Sequence, residues 1–201
     1  MWMINRNGII LLPNYRGSSG YGVNFLSANY HNFNKAYSDI MSGVNYLIKK
    51  NIADSNHLAL WGWSYDGYTT AWALGHTNKF KAAVEGDGLT DLLSFTNTTD
   101  ARNYLVNFYG QKYWTSDSYV KDSPIMYANK YTTPLLIIHG ENDVRVPLTQ
   151  SLELNNALHN LHKPVKMIIL PNTGHIPTDP NIIYQLNLEV TDWLNQAIDS
   201  K

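Results

Sequence analysis

Apolar residues along this chain fall in short continuous runs, and segments with apolar positions at helical spacing lie between them. That is the alternation expected of strands buried on both faces and of the helices that cover them. Ile9-Ile-Leu-Leu-Pro13, which follows Gly8, reads as the first buried strand. Residues 35–50 put Ile40, Val44, Leu47 and Ile48 on one helical face, with Lys49 and Lys50 in the last turn. Leu58-Ala-Leu-Trp61 is strand-like, breaks into Gly62-Trp-Ser-Tyr-Asp-Gly67 and passes at once into a helix that runs to about His76. Lys81–Gly86, Pro134–Gly140 and Val165–Leu170 read as further strands, and Thr149–Leu161 and Asn181–Ile198 as helices. Between 89 and 131 the pattern is irregular and aromatic-rich, with Phe95, Tyr104, Phe108, Tyr109, Tyr113 and Trp114, and suggests short helices. Strands alternating with helices predict an α/β fold, a mostly parallel sheet flanked by helices.

Composition narrows the function classes. A chain of 201 residues suits a single domain over 1–201, with the stretch at 89–131 as an insertion. A formal net charge of −1 offers no basic footprint, so neither nucleic acid nor an acidic membrane surface is an expected partner. With no cysteine, thiolate metal sites and cysteine nucleophiles are excluded. The seven histidines are dispersed without metal-ligand spacing, so no metal and no cofactor is expected. Met1-Trp-Met-Ile-Asn-Arg6 lacks the pattern of a signal peptide and no apolar run is long enough to span a bilayer, which makes a cytoplasmic protein the default expectation.

Three loops at the carboxyl ends of strands carry chemistry. Ser64 follows the Leu58 strand in a Gly-flanked turn, Asp143 follows the Pro134–Gly140 strand, and His175 follows the Val165–Leu170 strand. A serine hydroxyl is a poor nucleophile until an imidazole removes its proton, and a carboxylate must fix the imidazole tautomer. The order Ser, Asp, His is that of the α/β-hydrolases. Plainer readings stand beside this one: Ser64 as a helix cap, Asp143 as a turn residue, His175 as a surface residue. Asp87 and Asp91, near the end of the Lys81–Gly86 strand, are rival acids.

Asn14-Tyr-Arg-Gly-Ser-Ser-Gly-Tyr-Gly22, Gly62-Trp-Ser-Tyr-Asp-Gly-Tyr68, His139-Gly-Glu-Asn-Asp-Val-Arg-Val-Pro147 and Gly174-His175 together resemble the catalytic domain of the prolyl oligopeptidase family of serine peptidases, nearest its acylaminoacyl-peptidase and dipeptidyl-peptidase branches. The resemblance covers nearly the whole chain. It implies an α/β-hydrolase fold that cleaves peptide or acyl-amino bonds through an acyl-enzyme. Ser64 would be the nucleophile, Asp143 the orienting acid, His175 the general base and the Tyr65 N–H an oxyanion donor. Arg145 would grip a substrate carbonyl, while the Tyr65 ring, Leu89, Leu92 and Phe95 would line an apolar pocket. Ordinary core packing is the plainer reading of Leu89, Leu92 and Phe95.

The chain departs from that family in three respects. Asp66 stands where the elbow pattern has glycine, so its side chain must point out of the turn or the elbow must open. The family's segment that supplies the second oxyanion donor, its first strands and its β-propeller have no counterpart in the sequence, and Met1–Arg6 reads as the end of the helix after that segment. Losing one donor costs on the order of 10²–10³ in rate, unless the Tyr15 hydroxyl or a loop N–H substitutes. The sheet would then close up, leave a gap or borrow a strand, which predicts self-association as a homo-oligomer. A carboxylesterase working on small esters with the same residues, and a catalytically silent binding or assembly module, are the competing expectations.

Overall fold

The computed structural model describes residues 8–199. The expected helical end at Met1–Arg6 lies outside the described residues. Four strands, β1 (Ala59–Trp63), β2 (Ala82–Gly86), β3 (Leu135–Gly140) and β4 (Val165–Leu170), form one sheet in the order β1-β2-β3-β4. Every pairing is parallel, with Gly62 opposite Glu85, Glu85 opposite Ile137, and Gly140 opposite Leu170. Parallel neighbours require crossovers, and helices supply them. The helices are α1 (Val23–Leu26), α2 (Lys35–Lys49), α3 (Tyr65–Leu74), α4 (Leu92–Thr98), α5 (Tyr104–Tyr109), α6 (Ser118–Lys121), α7 (Thr149–Asn160) and α8 (Pro180–Asp199).

Side chains alternate along β2 and β3, so the two sheet faces build separate cores. Ala83, Leu135 and Ile137 pack with Ala71 and Leu74 of α3 and Leu154 and Leu158 of α7. Ala82, Val84, Leu136 and Ile138 pack on the other face with Val190 and Leu194 of α8. Helix α2 lies beside α3, with Met41 against Ala73 and Phe80. The 89–131 stretch forms short helices around a third cluster built on Phe33, Tyr68, Leu92, Phe108 and Tyr119. Among the described residues no helix is long and apolar enough to cross a membrane.

One expected strand is absent. Ile9–Leu12 is irregular backbone, with Ile10 62% and Leu12 85% exposed, and only Leu11 lies against Gly43 of α2. An extended run becomes a strand only when a neighbour completes its ladder, and among the described residues none pairs with it. The outer edge of β1 is accordingly open there, with Trp61 half exposed.

Candidate active site

The turn from β1 into α3 sets the geometry. Ser64 takes φ 61° and ψ −119°, a conformation that side-chain-bearing residues rarely adopt. Its N–H donates to the Gly86 carbonyl of β2 at 2.8 Å and its carbonyl accepts from the Tyr68 N–H at 2.9 Å, which hold the strained residue in place. The turn is possible because Gly62 and Gly67 have no Cβ. One on Gly62 would come within 2.0 Å of the Asp66 carbonyl oxygen, and one on Gly67 within 2.6 Å of the Gly86 carbonyl oxygen.

The Ser64 side chain makes no cap hydrogen bond to α3. Its Oγ lies 2.9 Å from His175 Nε2, and His175 Nδ1 lies 2.7 Å from Asp143 Oδ2. Asp143 is fixed in turn: its Oδ1 accepts from the N–H of Arg145 at 2.8 Å and of Val146 at 3.0 Å. Burial works against its charge, but the hydrogen bonds from His175 and from these amides hold its carboxyl below the usual range. The Trp63 indole N–H donates to the His175 carbonyl at 2.9 Å and ties the histidine loop to β1. Ser64, Asp143 and His175 thus leave the carboxyl ends of β1, β3 and β4 and meet above the sheet. Tyr65, first residue of α3, has no preceding helical turn to receive its N–H, and that amide adjoins Ser64 where a developing anion would sit.

The remaining expected residues divide. Asp66 is exposed and points out of the turn, and its Oδ1 accepts from the Tyr15 hydroxyl. Burial pushes the Tyr15 phenol up, and its proton is committed to Asp66 rather than to an oxyanion. Arg145 forms an exposed pair with Asp100, with Nε 2.7 Å from Oδ1. Leu89, Leu92 and Phe95, expected either to line an apolar pocket or to pack in the core, are at most 4% exposed within the aromatic cluster, where neighbouring side chains cover them. The Tyr65 ring is half-buried against that core and its hydroxyl donates to the Phe33 carbonyl at 2.6 Å. Asp91 caps α4 through the N–H groups of Leu93 and Ser94, and Glu141 accepts from the Asn172 N–H.

Sequence reasoning missed one acid beneath the site, Glu85. Glu85 is wholly buried next to Gly88, whose N–H donates to Oε1, while Oε2 has no hydrogen-bond partner among the described residues. Burial pushes its carboxyl up to about 8. Asp87, a rival acid in the sequence, is also buried and accepts from the Gly140 N–H at 2.9 Å. Asp87, His139 and Asp143 bring one possible ligand atom each within 4.8 Å of one another. The His139 ring is already committed, with Nδ1 2.6 Å from Ser151 Oγ and Nε2 2.7 Å from the Val146 carbonyl, and burial lowers its pKa.

The sequence profile of the prolyl oligopeptidase family matches residues 1–201. An uncharacterized peptidase, YuxL, of Bacillus subtilis is 36% identical over 170 residues, covering 83% of this chain and 26% of its own length. The acylamino-acid-releasing enzyme of Arabidopsis thaliana is 29% identical, covering 92% of this chain and 26% of its own length. Among solved structures, the Pyrococcus horikoshii acylaminoacyl peptidase superposes with a TM-score of 0.88 at 27% identity, covering 94% of this chain and 32% of that one. A puromycin-hydrolyzing peptidase of Mycobacterium tuberculosis gives 0.89 at 27% identity, over 94% of this chain and 29% of that one. The parallel sheet with helices on both faces is therefore an α/β-hydrolase fold, and the chain spans between a quarter and a third of the length of these relatives.

Proposed function

The chain belongs to the prolyl oligopeptidase family, and from that premise we propose that it is a serine hydrolase cleaving peptide or acyl-amino bonds through Ser64, His175 and Asp143. One observation carries the reading: the unbroken line from Ser64 Oγ to His175 Nε2 at 2.9 Å and from Nδ1 to Asp143 Oδ2 at 2.7 Å. His175 Nε2 takes the hydroxyl proton as Oγ attacks the substrate carbonyl, and the Asp143 carboxylate stabilises the imidazolium that forms. The carbonyl oxygen becomes an anion facing the Tyr65 N–H and the amino end of α3. As the tetrahedral intermediate collapses, the bond to the leaving amine breaks and His175 returns the proton to that amine, leaving an acyl-Ser64. Water then attacks the acyl group, His175 again removes the proton, and the acid product and free Ser64 are released.

The substrate class rests on the relatives: acylamino-acid-releasing enzymes and dipeptidyl peptidases recur among them, and one similar structure holds Z-Gly-Gly-Phe-chloromethyl ketone. Intact mass after a fluorophosphonate probe, run beside Ser64→Ala, tests the nucleophile. One adduct on the parent and none on the variant is the expected result; a folded parent that takes no adduct overturns the reading and favours a silent binding module. Paired acyl-peptide anilides and p-nitrophenyl esters then decide the bond, and turnover of esters alone would replace the peptidase with a carboxylesterase.

A further inference from the structure

The acid end of the Ser64–His175 line is double. Asp87, at the end of β2, has a fully buried side chain whose Oδ2 lies 3.6 Å from His175 Nδ1, the nitrogen that Asp143 engages at 2.7 Å. Its backbone takes φ 43°, where buried non-glycine residues are rare, and its Oδ1 accepts from the Gly140 N–H at 2.9 Å. Strain held in a buried acid beside an imidazole is more than core packing requires. Among the described residues no donor reaches Oδ2, and a carboxylate oxygen of Asp87 lies within 4.8 Å of one of Asp143. Two carboxyls this close in a buried site disfavour double ionisation, which favours one proton held between them.

Burial, and then the Asp143 charge, pushes the Asp87 carboxyl up to about 9, while Asp143 is held low. At neutral pH Asp143 is therefore the anion and Asp87 the protonated acid beside it. The other ionisable groups around Asp87 are Glu85, His139 and His175. Glu85 is held protonated, and the ring of His139 is committed to Ser151 and Val146. Removing the Asp143 carboxylate would take away the like charge that adds to burial in keeping the proton on Asp87. The Nδ1 proton of His175 would then face a single buried carboxyl, which needs to move by under about 1 Å to reach hydrogen-bond length.

We propose that Asp87 is a reserve acid for His175, a positioning residue that stays protonated beside Asp143 in the resting site and accepts the Nδ1 proton of His175 when Asp143 cannot. Its own proton leaves to solvent in that exchange, and the imidazolium formed during acylation pairs with the Asp87 carboxylate. The inference rests on the proposed reaction and adds a second acid to it.

Asp143→Ala is compared with Asp143→Ala/Asp87→Asn, since asparagine keeps the shape and tolerates the left-handed backbone. The single variant is expected to keep at least about tenfold more kcat/KM than the double. In protein labelled with ¹⁵N-histidine, the far-downfield resonance of the His175 Nδ1 proton persists in the single variant and disappears in the double. Equal rates, or no such resonance in a folded Asp143→Ala protein, overturn the reserve role. Where Asp143→Ala does not fold, Asp143→Asn with and without Asp87→Asn makes the same comparison. Because the resonance is read without turnover, it decides the acid even if the parent takes no fluorophosphonate, a result that would sink only the proposed reaction.

Discussion

Replacing Glu85 with glutamine should stabilise the protein at neutral pH and leave it nearly unchanged in acid. Glu85 is 0% exposed, one oxygen accepts from Gly88 and the other has no partner among the described residues, so burial raises its carboxyl from 4.5 to about 8. A carboxyl whose folded pKa is raised gives stability that is fully present below its unfolded value and is lost as pH rises through the folded value. Between about 4.5 and 8 the unfolded chain releases this proton and the folded chain keeps it, which costs about 1.36 kcal/mol per pH unit. At pH 7 the cost reaches about 3 kcal/mol. Glutamine keeps the acceptor for Gly88 and the volume, but has no proton to hold. Urea unfolding at pH 4, 5, 6, 7 and 8 should show the two proteins nearly equal at pH 4, with the variant gaining steadily to about 3 kcal/mol at pH 7. A difference independent of pH would refute the reasoning, because Glu85 would then bind its proton alike in both states.

Further predictions concern the rim, the turn and the sheet edge. Arg145→Ala should raise KM for an acyl-peptide while kcat holds, and Asp100→Asn, which releases the guanidinium, should lower KM; neither should move the thermal midpoint, because the pair is exposed. A kcat change with constant KM in steady-state kinetics would remove Arg145 from substrate binding. Gly62→Ala drives a Cβ to 2.0 Å from the Asp66 carbonyl, so stability measured by urea unfolding should fall by about 3 kcal/mol or more, with loss of fluorophosphonate labelling. Among the described residues the outer edge of β1 is open and the Ile9–Leu12 run is exposed, which motivates the proposal that the chain self-associates. Light scattering behind size exclusion should then give a mass above one chain, and a monomer at all concentrations would refute it.

The sheet strands could be read from the sequence because their apolar runs are continuous, and Val165–Leu170 holds to the residue. Periodicity reports a local preference, whereas pairing belongs to two segments at once, and Ile9–Leu12 shows the difference. Ser64, Asp143 and His175 could be read because each follows a strand in a loop with its own motif; the distances between them came only with the fold. Glu85 had no signal, since one acid in an apolar run looks like any strand residue until both faces are covered. Arg145 and Asp100 lie 45 residues apart, and nothing in either segment announced the pair. Leu92 and Phe95 have the same apolar chemistry in a core as in a pocket wall, so only the burial separates the two.

The bond from the Trp63 indole to the His175 carbonyl also has an optical consequence. Trp63 is a native fluorophore placed where the strand leading to Ser64 meets the histidine loop, and its emission depends on whether that N–H stays bonded in a half-buried setting. If the loop detaches before the sheet melts, part of the emission shifts to the red at a temperature where far-ultraviolet dichroism is still native. With Trp63→Phe as the blank for the other five tryptophans, the molecule carries its own gauge of whether the site is assembled.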